Sequence, residues 1–336
     1  MQNDKQLYLS SSPHVKNNNT TRKIMLNVCL ALLPAYVMSI VYFGINAFLL
    51  VVVSCISAVL SEFIYLLIAK KSIREIVVKF DCSSIVTGML VGLSCGAQYP
   101  LYIPALGSAF AIIVVKMLFG GTGKNIVNPA ITGRIFIFMS FTATMTFGWL
   151  TPAVSSVTGA PVITGATILT GNSEIGGILD GNLLNVSILD MFLGTGITGC
   201  LGETCKLALI VGGIYLAIRK IINIGYPIIY VLVTGLFTVI LNGFNFNYFL
   251  PSILSGGLIM GAIFMATDYT TTPNTTLGNV IYFALLGLLT AGLRQATGYE
   301  VVSFVILFMN LLVPQIDKFI INIPFGYKKA KKVKGE

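Results

Sequence analysis

An all-α polytopic membrane protein, with ten transmembrane helices arranged as two inverted five-helix repeats that include short or broken helices, is the fold class that the sequence predicts. Two observations carry it. Charged residues make up only 10% of the chain against 55% hydrophobic ones, with a mean hydropathy of +0.88, whereas soluble domains hold about 25% charged residues. Ten apolar stretches also fall into two sets of five on either side of a long polar interval. Five is odd, so the second set must run opposite to the first, the pattern of an inverted repeat.

Residues 1–23 predict a cytoplasmic tail. Asn17, Asn18, Asn19, Thr20 and Thr21 keep it polar, and no apolar core precedes a cleavage site as in a signal peptide. The first half, residues 24–150, holds stretches near Ile24–Phe43, Ala47–Ile68, Ser84–Gly96, Tyr102–Phe119 and Ile131–Leu150, judged against roughly 20 residues per span. Residues 151–203 form an extracytoplasmic loop, in which the apolar piece Leu184–Thr198 predicts a short interfacial or re-entrant helix. The second half, residues 204–316, holds Lys206–Ile218, Pro227–Leu241, Pro251–Ala266, Gly278–Leu293 and Val301–Val313, and residues 317–336 are a basic cytoplasmic tail. Ser84–Gly96 and Pro251–Ala266 are short and rich in Gly and Ser, at corresponding places in the two halves. Such pairs predict broken helices around a central site.

Orientation follows from Lys and Arg, which favour the cytoplasmic side. With both termini inside, the inner segments hold Lys5, Lys16, Arg22 and Lys23, then Lys70, Lys71, Arg74 and Lys79, then Lys124, Arg219, Lys220 and the terminal lysines. The interval from Thr151 to Glu203 has no Lys or Arg and carries Glu174, Asp180, Asp190 and Glu203. It therefore faces outward. The net charge of +9 reads as attraction to anionic membrane lipid at the inner surface and not as a nucleic-acid footprint.

Redox metals find few ligands. His14, the only histidine, lies in the tail, which excludes bis-His haem inside the membrane within this chain; of six cysteines only Cys200 and Cys205 are close, and a lone C-x4-C lacks the other ligands of an iron–sulfur site. The cysteines read as small apolar residues, and no metal site is expected. A redox role would need an organic cofactor.

The outward loop contains Thr164-Gly165-Ala166-Thr167. Small neighbours leave the terminal hydroxyl open to a modifying enzyme, although a polar turn uses the same residues, and Thr158, Thr164 and Thr170 offer competing hydroxyls. Context adds to the motif. Ser12-Pro13-His14 with Thr21–Met25, the block Lys116–Ala130 (KMLFGGTGKNIVNPA), Gly202-Glu203-Thr204, and Gly257–Pro273 (GLIMGAIFMATDYTTTP) all resemble, across nearly the whole chain, the D subunit of the Rnf ferredoxin:NAD oxidoreductase and the related B subunit of the sodium-pumping NADH:quinone oxidoreductase. One departure is the lack of Asp or Glu from Thr151 to Asn172, where many members of that family carry an acidic residue before the motif.

The resemblance implies FMN held covalently on Thr167 through a phosphoester, with Thr164, Gly165 and Ala166 as its recognition motif, attached by a flavin transferase. It also implies riboflavin or a second flavin, non-covalently bound, at a place no residue pattern locates. The chain would then be a membrane flavoprotein subunit of a translocase in the bacterial cell (inner) membrane. That translocase relays electrons between reduced ferredoxin and NAD and moves Na⁺ or H⁺ outward, together with other membrane and peripheral subunits of the Rnf-type complex. No Gly-x-Gly-x-x-Gly unit follows a strand signal, so NAD and ferredoxin sites are expected in other chains. A small-solute channel or secondary transporter without redox chemistry is the reading that competes, since inverted repeats with broken helices serve it equally.

Ionisable residues in spans are costly and so are partnered or functional. Lys116 and Arg134 are expected to snorkel from helix ends. Glu203 is expected to favour the N-terminus of the sixth span as a cap. Glu62, about two turns inside its span by helical rise, and Asp268, beside several hydroxyls, are candidates for a cation path or for neutralising a neighbouring Lys or Arg. The charge count makes one prediction: on intact cells a membrane-impermeant thiol reagent labels a Cys introduced at Asn172 and not one at Ala330, and the reverse pattern would overturn the orientation.

Overall fold

The computed structural model describes residues 20–147, 188–195 and 199–320, and among them the only regular structure is helical. Thr158, Thr164, Gly165, Ala166, Thr167 and Thr170 lie outside the described residues. Helices α1 (Thr21–Phe43) and α2 (Ile45–Ile68) are joined at Gly44, whose φ of 72° lets the chain reverse. A short α3 (Ile73–Lys79) precedes α4 (Ser83–Leu93), α5 (Tyr102–Phe110, continued as a π-helix over Ala111–Met117), α6 (Pro129–Ser140) and α7 (Thr142–Phe147). The rest of the chain comprises α8 (Ile188–Leu193), α9 (Lys206–Ile218), α10 (Gly225–Leu241), α11 (Phe249–Leu254), α12 (Leu258–Met260, continued as a π-helix over Gly261–Met265), α13 (Thr276–Thr297) and α14 (Val302–Phe319).

Every predicted span falls on a helix, but the lengths differ from ten full crossings. Four helices, α1, α2, α13 and α14, are long and apolar enough to cross a membrane, and α11 with α12 makes a fifth if the pair, bent by 66°, is one span. The remaining apolar helices have 10–17 residues. The predicted fifth span is interrupted at Phe141, where φ −127° and ψ 44° end α6. The break in the eighth lies at Ser255-Gly256-Gly257, and Gly256 has φ 58°.

Packing is that of a protein whose solvent is lipid. Apolar side chains are exposed along α1 (Leu26, Leu30, Leu33, Val37) and α2 (Ile56, Leu60, Ile64), while Ser54, Ser84, Thr234 and Thr290 are fully buried. Because hydrocarbon gives no reward for burying apolar surface, helices associate through close backbone approach and internal polar contacts. Gly88 and Gly92, four apart on α4, meet α2: a Cβ on Gly88 would lie 2.7 Å from Cys55 Cα. Ser54 Oγ donates to Gly88 O at 2.7 Å across that seam. On α6 a Cβ at Gly133 would lie 2.7 Å from Gly107 O of α5, and Phe110 stacks on Phe136 beside it with centroids 4.1 Å apart. In the second half Tyr230 and Thr290 hydroxyls meet at 2.8 Å between α10 and α13.

Contacts between the halves pair α1 with α9 and α6 with α14. The first pair touches at Gly212, where an added Cβ would fall on the Ala31 carbonyl oxygen. Gly212→Ala should therefore destabilise the chain by about 1–3 kcal/mol, as overpacking does. Gly292→Ala, whose Cβ would find its nearest neighbour, Phe237, at 3.9 Å, should be neutral or stabilise by up to about 1 kcal/mol through helix propensity. Thermal unfolding of the purified chain in detergent checks both; equal effects would refute the assignment of this contact.

Candidate functional site

The block that joins α5 to α6 is shaped by its glycines. Gly120, Gly121 and Gly123 have φ of 107°, 94° and 87°, a region that L side chains avoid. The loop then enters α6 through Asn128, whose Oδ1 accepts from Ala130 N at 2.9 Å while Pro129 occupies the first helical turn. Asn128 Nδ2 donates to Met265 O at 2.9 Å. One amide thus caps a helix of the first half and satisfies a carbonyl freed near the end of the π-helix in the second.

Beyond that carbonyl the chain turns at Thr267-Asp268-Tyr269-Thr270. Asp268 Oδ2 accepts from Thr270 Oγ1 at 3.0 Å, and Thr272 Oγ1 donates to Asp268 O at 3.0 Å. Burial raises the Asp268 carboxyl above its ordinary value, with hydrogen bonds from Thr270, Asn125 and Thr271 opposing it. The two loops enclose an open-mouthed cavity of about 120 Å³, walled by α1, α4 and α9 and lined by Ser83, Lys116, Thr122, Asn125, Asn128 and Asp268 among apolar residues such as Leu90 and Phe264. Its make-up, apolar walls with a few convergent polar groups, is that of sites for small ligands.

Lys116 and Glu62 meet beside this cavity. Lys116 does not snorkel as expected: it is 3% exposed, and its Nζ lies 2.8 Å from Glu62 Oε1 and 3.9 Å from Asp81 Oδ1 while donating to Ser83 Oγ at 2.7 Å. The π-helix carries Lys116 toward α2 and the start of α4. Burial pushes the Asp81 carboxyl up, but Lys116 and hydrogen bonds from Ser83 and Thr122 outweigh it and hold it below the ordinary range. Nothing in the sequence singles out Asp81, which sits between elements and next to a loop rich in lysine.

A second buried cluster occupies the break between α11 and α12. Glu203 is not a cap: the N-cap of α9 is Cys205, without a side-chain bond, and Glu203 Oε1 instead lies 3.0 Å from Arg134 Nη1, with Glu203 buried and Arg134 nearly so. Arg134 thus stays inside rather than snorkelling, and its Nη2 also donates to Cys200 Sγ at 3.6 Å. Arg294 Nη2 pairs with Glu300 Oε2 at 2.8 Å, and its two terminal nitrogens donate to Ser252 O and Ser255 O, the carbonyls at the end of α11. Lys206 Nζ donates to Glu203 O. All six cysteines are free, with Cys82, Cys95, Cys200 and Cys205 buried, and among the described residues no group of three or more His, Cys, Asp or Glu could hold a metal. The described stretch of Leu184–Thr198 is helical at α8, where Tyr42 Oη donates to Leu193 O at 2.8 Å.

A model of the NQR2, RnfD, RnfE family matches residues 8–326. The chain is 37% identical, over 98% of both chains, to the D subunit of the Na(+)-translocating ferredoxin:NAD(+) oxidoreductase complex of Acetobacterium woodii. It is 36% identical, over 96% of both, to the D subunit of the proton-translocating ferredoxin:NAD(+) oxidoreductase complex of Clostridium ljungdahlii. With the D subunit of the ion-translocating oxidoreductase complex of Salmonella typhimurium the identity is 32% over 96% of this chain and 99% of the relative.

Removing one partner of a buried ion pair costs about 3–5 kcal/mol because the other charge is left uncompensated. Glu203→Gln should thus lower the thermal stability of the purified chain strongly, and Arg134→Met added to it should restore some of the loss. A double variant as unstable as the sum of the two singles would show that the pair is not coupled.

Proposed function

Since the chain belongs to the NQR2, RnfD, RnfE family, we propose that it is the flavin-bearing membrane subunit of an ion-translocating ferredoxin:NAD oxidoreductase. The match over residues 8–326 carries this reading, supported by relatives so named that align along nearly their whole length. Ten spans in two inverted repeats, with both termini cytoplasmic and the loop 151–203 outside, give the arrangement. The pairing of α1 with α9 and of α6 with α14, one from each half, supports it.

FMN is held on Thr167 by a phosphoester, within Thr164-Gly165-Ala166-Thr167, after transfer by a separate enzyme. Bound flavin supplies the exchange between two-electron and one-electron transfer. A second flavin, not covalently held, belongs to the same reading; at the cavity between the two loops Ser83, Thr122 and Asn125 offer hydrogen bonds, and Phe264 and Leu90 an apolar wall, to a part of such a ligand. Ferredoxin and NAD are handled by other subunits. Asn128, which lines the cavity, ties the two parts of the chain around it together through its bond to Met265 O.

The moved cation is Na⁺ or H⁺. One relative is named for each ion, so likeness alone does not choose. Glu62 and Asp268 belong to its route in this reading, which is supported by Asp268 lining the cavity and by the contact of Glu62 with Lys116 there.

Denaturing gels test the reading directly. The wild-type band fluoresces under ultraviolet light, and Thr167→Val is dark while still inserted in the membrane. A dark wild-type band would favour the channel or transporter reading, and fluorescence lost with Thr158, Thr164 or Thr170 instead would move the attachment site. Asp268→Asn should keep the fluorescence and lose coupled ion movement in the whole complex; normal pumping would remove Asp268 from the route.

A further inference from the structure

The side chains around Lys116 do not balance in charge. Glu62 and Asp81 contribute −2 and Lys116 +1, and among the described residues no other Lys or Arg lies within 4 Å of either carboxylate. The cluster thus carries −1 at the wall of a helical membrane protein, where an unbalanced charge is costly. Its hydrogen bonds leave one definite atom unsatisfied: Glu62 is 92% buried, its Oε1 is taken by Lys116, and its Oε2 is closed to solvent without a partner.

The other oxygens gather around Lys116 and Ser83. Asp81 Oδ1 accepts from Ser83 N at 3.0 Å and from Ser83 Oγ at 2.6 Å, and Ser83 Oγ lies 3.2 Å from Thr122 Oγ1. Lys116 Nζ, surrounded by carboxylate and hydroxyl oxygens at 2.7–3.9 Å, stands where a small hydrated cation would find hard oxygen ligands. Lys116, Ser83 and Thr122 also line the cavity, which gives the cluster a path from its open mouth. Lys116 projects from a π-helix, a wide turn that recurs at functional sites.

We propose that Glu62, Asp81, Ser83 and Thr122 form a binding site for one monovalent cation, and that the Lys116 ammonium is a tethered cation competing within it. A single positive charge brings the cluster to neutrality, whereas a divalent ion would leave it at +1. The incoming cation binds against Glu62 Oε2 while the ammonium, shifted away from it, stays in the cluster, so that the total charge is zero. The site rests on the cation-coupled reading above and deepens it, assigning the ligands and a residue that regulates their occupancy.

Charge arithmetic separates this from a plain structural ion pair. Glu62→Gln and Asp81→Asn each bring the cluster to zero and should abolish the cation response. Lys116→Met takes it to −2 without a competitor and should strengthen the response. The measurement is thermal unfolding of the purified full chain in detergent, with NaCl replacing N-methylglucamine chloride at constant ionic strength, and in a second arm with pH varied without Na⁺. Stabilisation follows occupancy of the folded state.

Wild type should rise in Tm with Na⁺ or with protons. The half-maximal concentration in Lys116→Met should be lower by about tenfold or more, and both carboxylate variants should be flat. If Lys116→Met does not fold, Asp81→Asn decides, because it keeps the Glu62–Lys116 pair intact. A cation response retained in Asp81→Asn overturns the proposal, as does a wild type flat in both arms, or a Lys116→Met response equal to or weaker than wild type. In-gel flavin fluorescence of the same variants reports on Thr167 alone, so loss of this site leaves the flavoprotein reading standing, and a dark wild type leaves the cation titration intact.

Discussion

A charge placed in hydrocarbon must find its counter-charge inside the protein, and the described core is organised by that requirement. Helix association in lipid gains nothing from apolar burial, so glycine seams bring backbones together and polar contacts fix which helices meet. Glu62 of α2 ties the start of α4 to the π-helix through Lys116; Arg134 of α6 ties the loop before α9 through Glu203; Arg294 of α13 closes the end of α11. Each of these contacts joins elements that are distant in sequence. Together they hold short helices that could not cross a membrane by themselves.

Much of this plan is legible in the sequence because lipid imposes it residue by residue. Apolar stretches register directly as helices, and of the two Gly- and Ser-rich pieces expected to break, Pro251–Ala266 does so at 255–257 while Ser84–Gly96 forms one short helix, Ser83–Leu93. Other expectations fail for one reason. Lys116 and Arg134 lie near helix ends in the sequence, and snorkelling is a local argument; what decides their fate is a carboxylate 54 residues away for Lys116 and 69 away for Arg134. Glu203 suits a cap by the same local logic and is claimed instead by a distant arginine. A count of acids against bases within the spans signals that such partners are needed, though not which.

The candidate cavity is half legible. Asn128-Pro129 announces a capped helix start, and Thr267–Thr272 announces a cluster of hydroxyls around Asp268. That the two loops meet is visible only in the structure, where a side chain of the first half, Asn128, bonds to a carbonyl of the second, that of Met265. Thr167, the residue on which the flavin reading turns, stands out through its motif and neighbours in sequence, and lies outside the described residues.

The broken helix at Gly256-Gly257 has a mechanical consequence. A side chain at Gly256 would strike Glu300, and one at Gly257 would strike Glu203, so the joint is gripped from both sides by carboxylates already bound to arginines. Moving α6 away from the loop before α9 about this joint would have to part Arg134 from Glu203 and leave two charges uncompensated between helices. The joint is therefore a stiff point in the chain. The loop at Gly121 and Gly123, where an added side chain would meet nothing within 4 Å, has no such clamp.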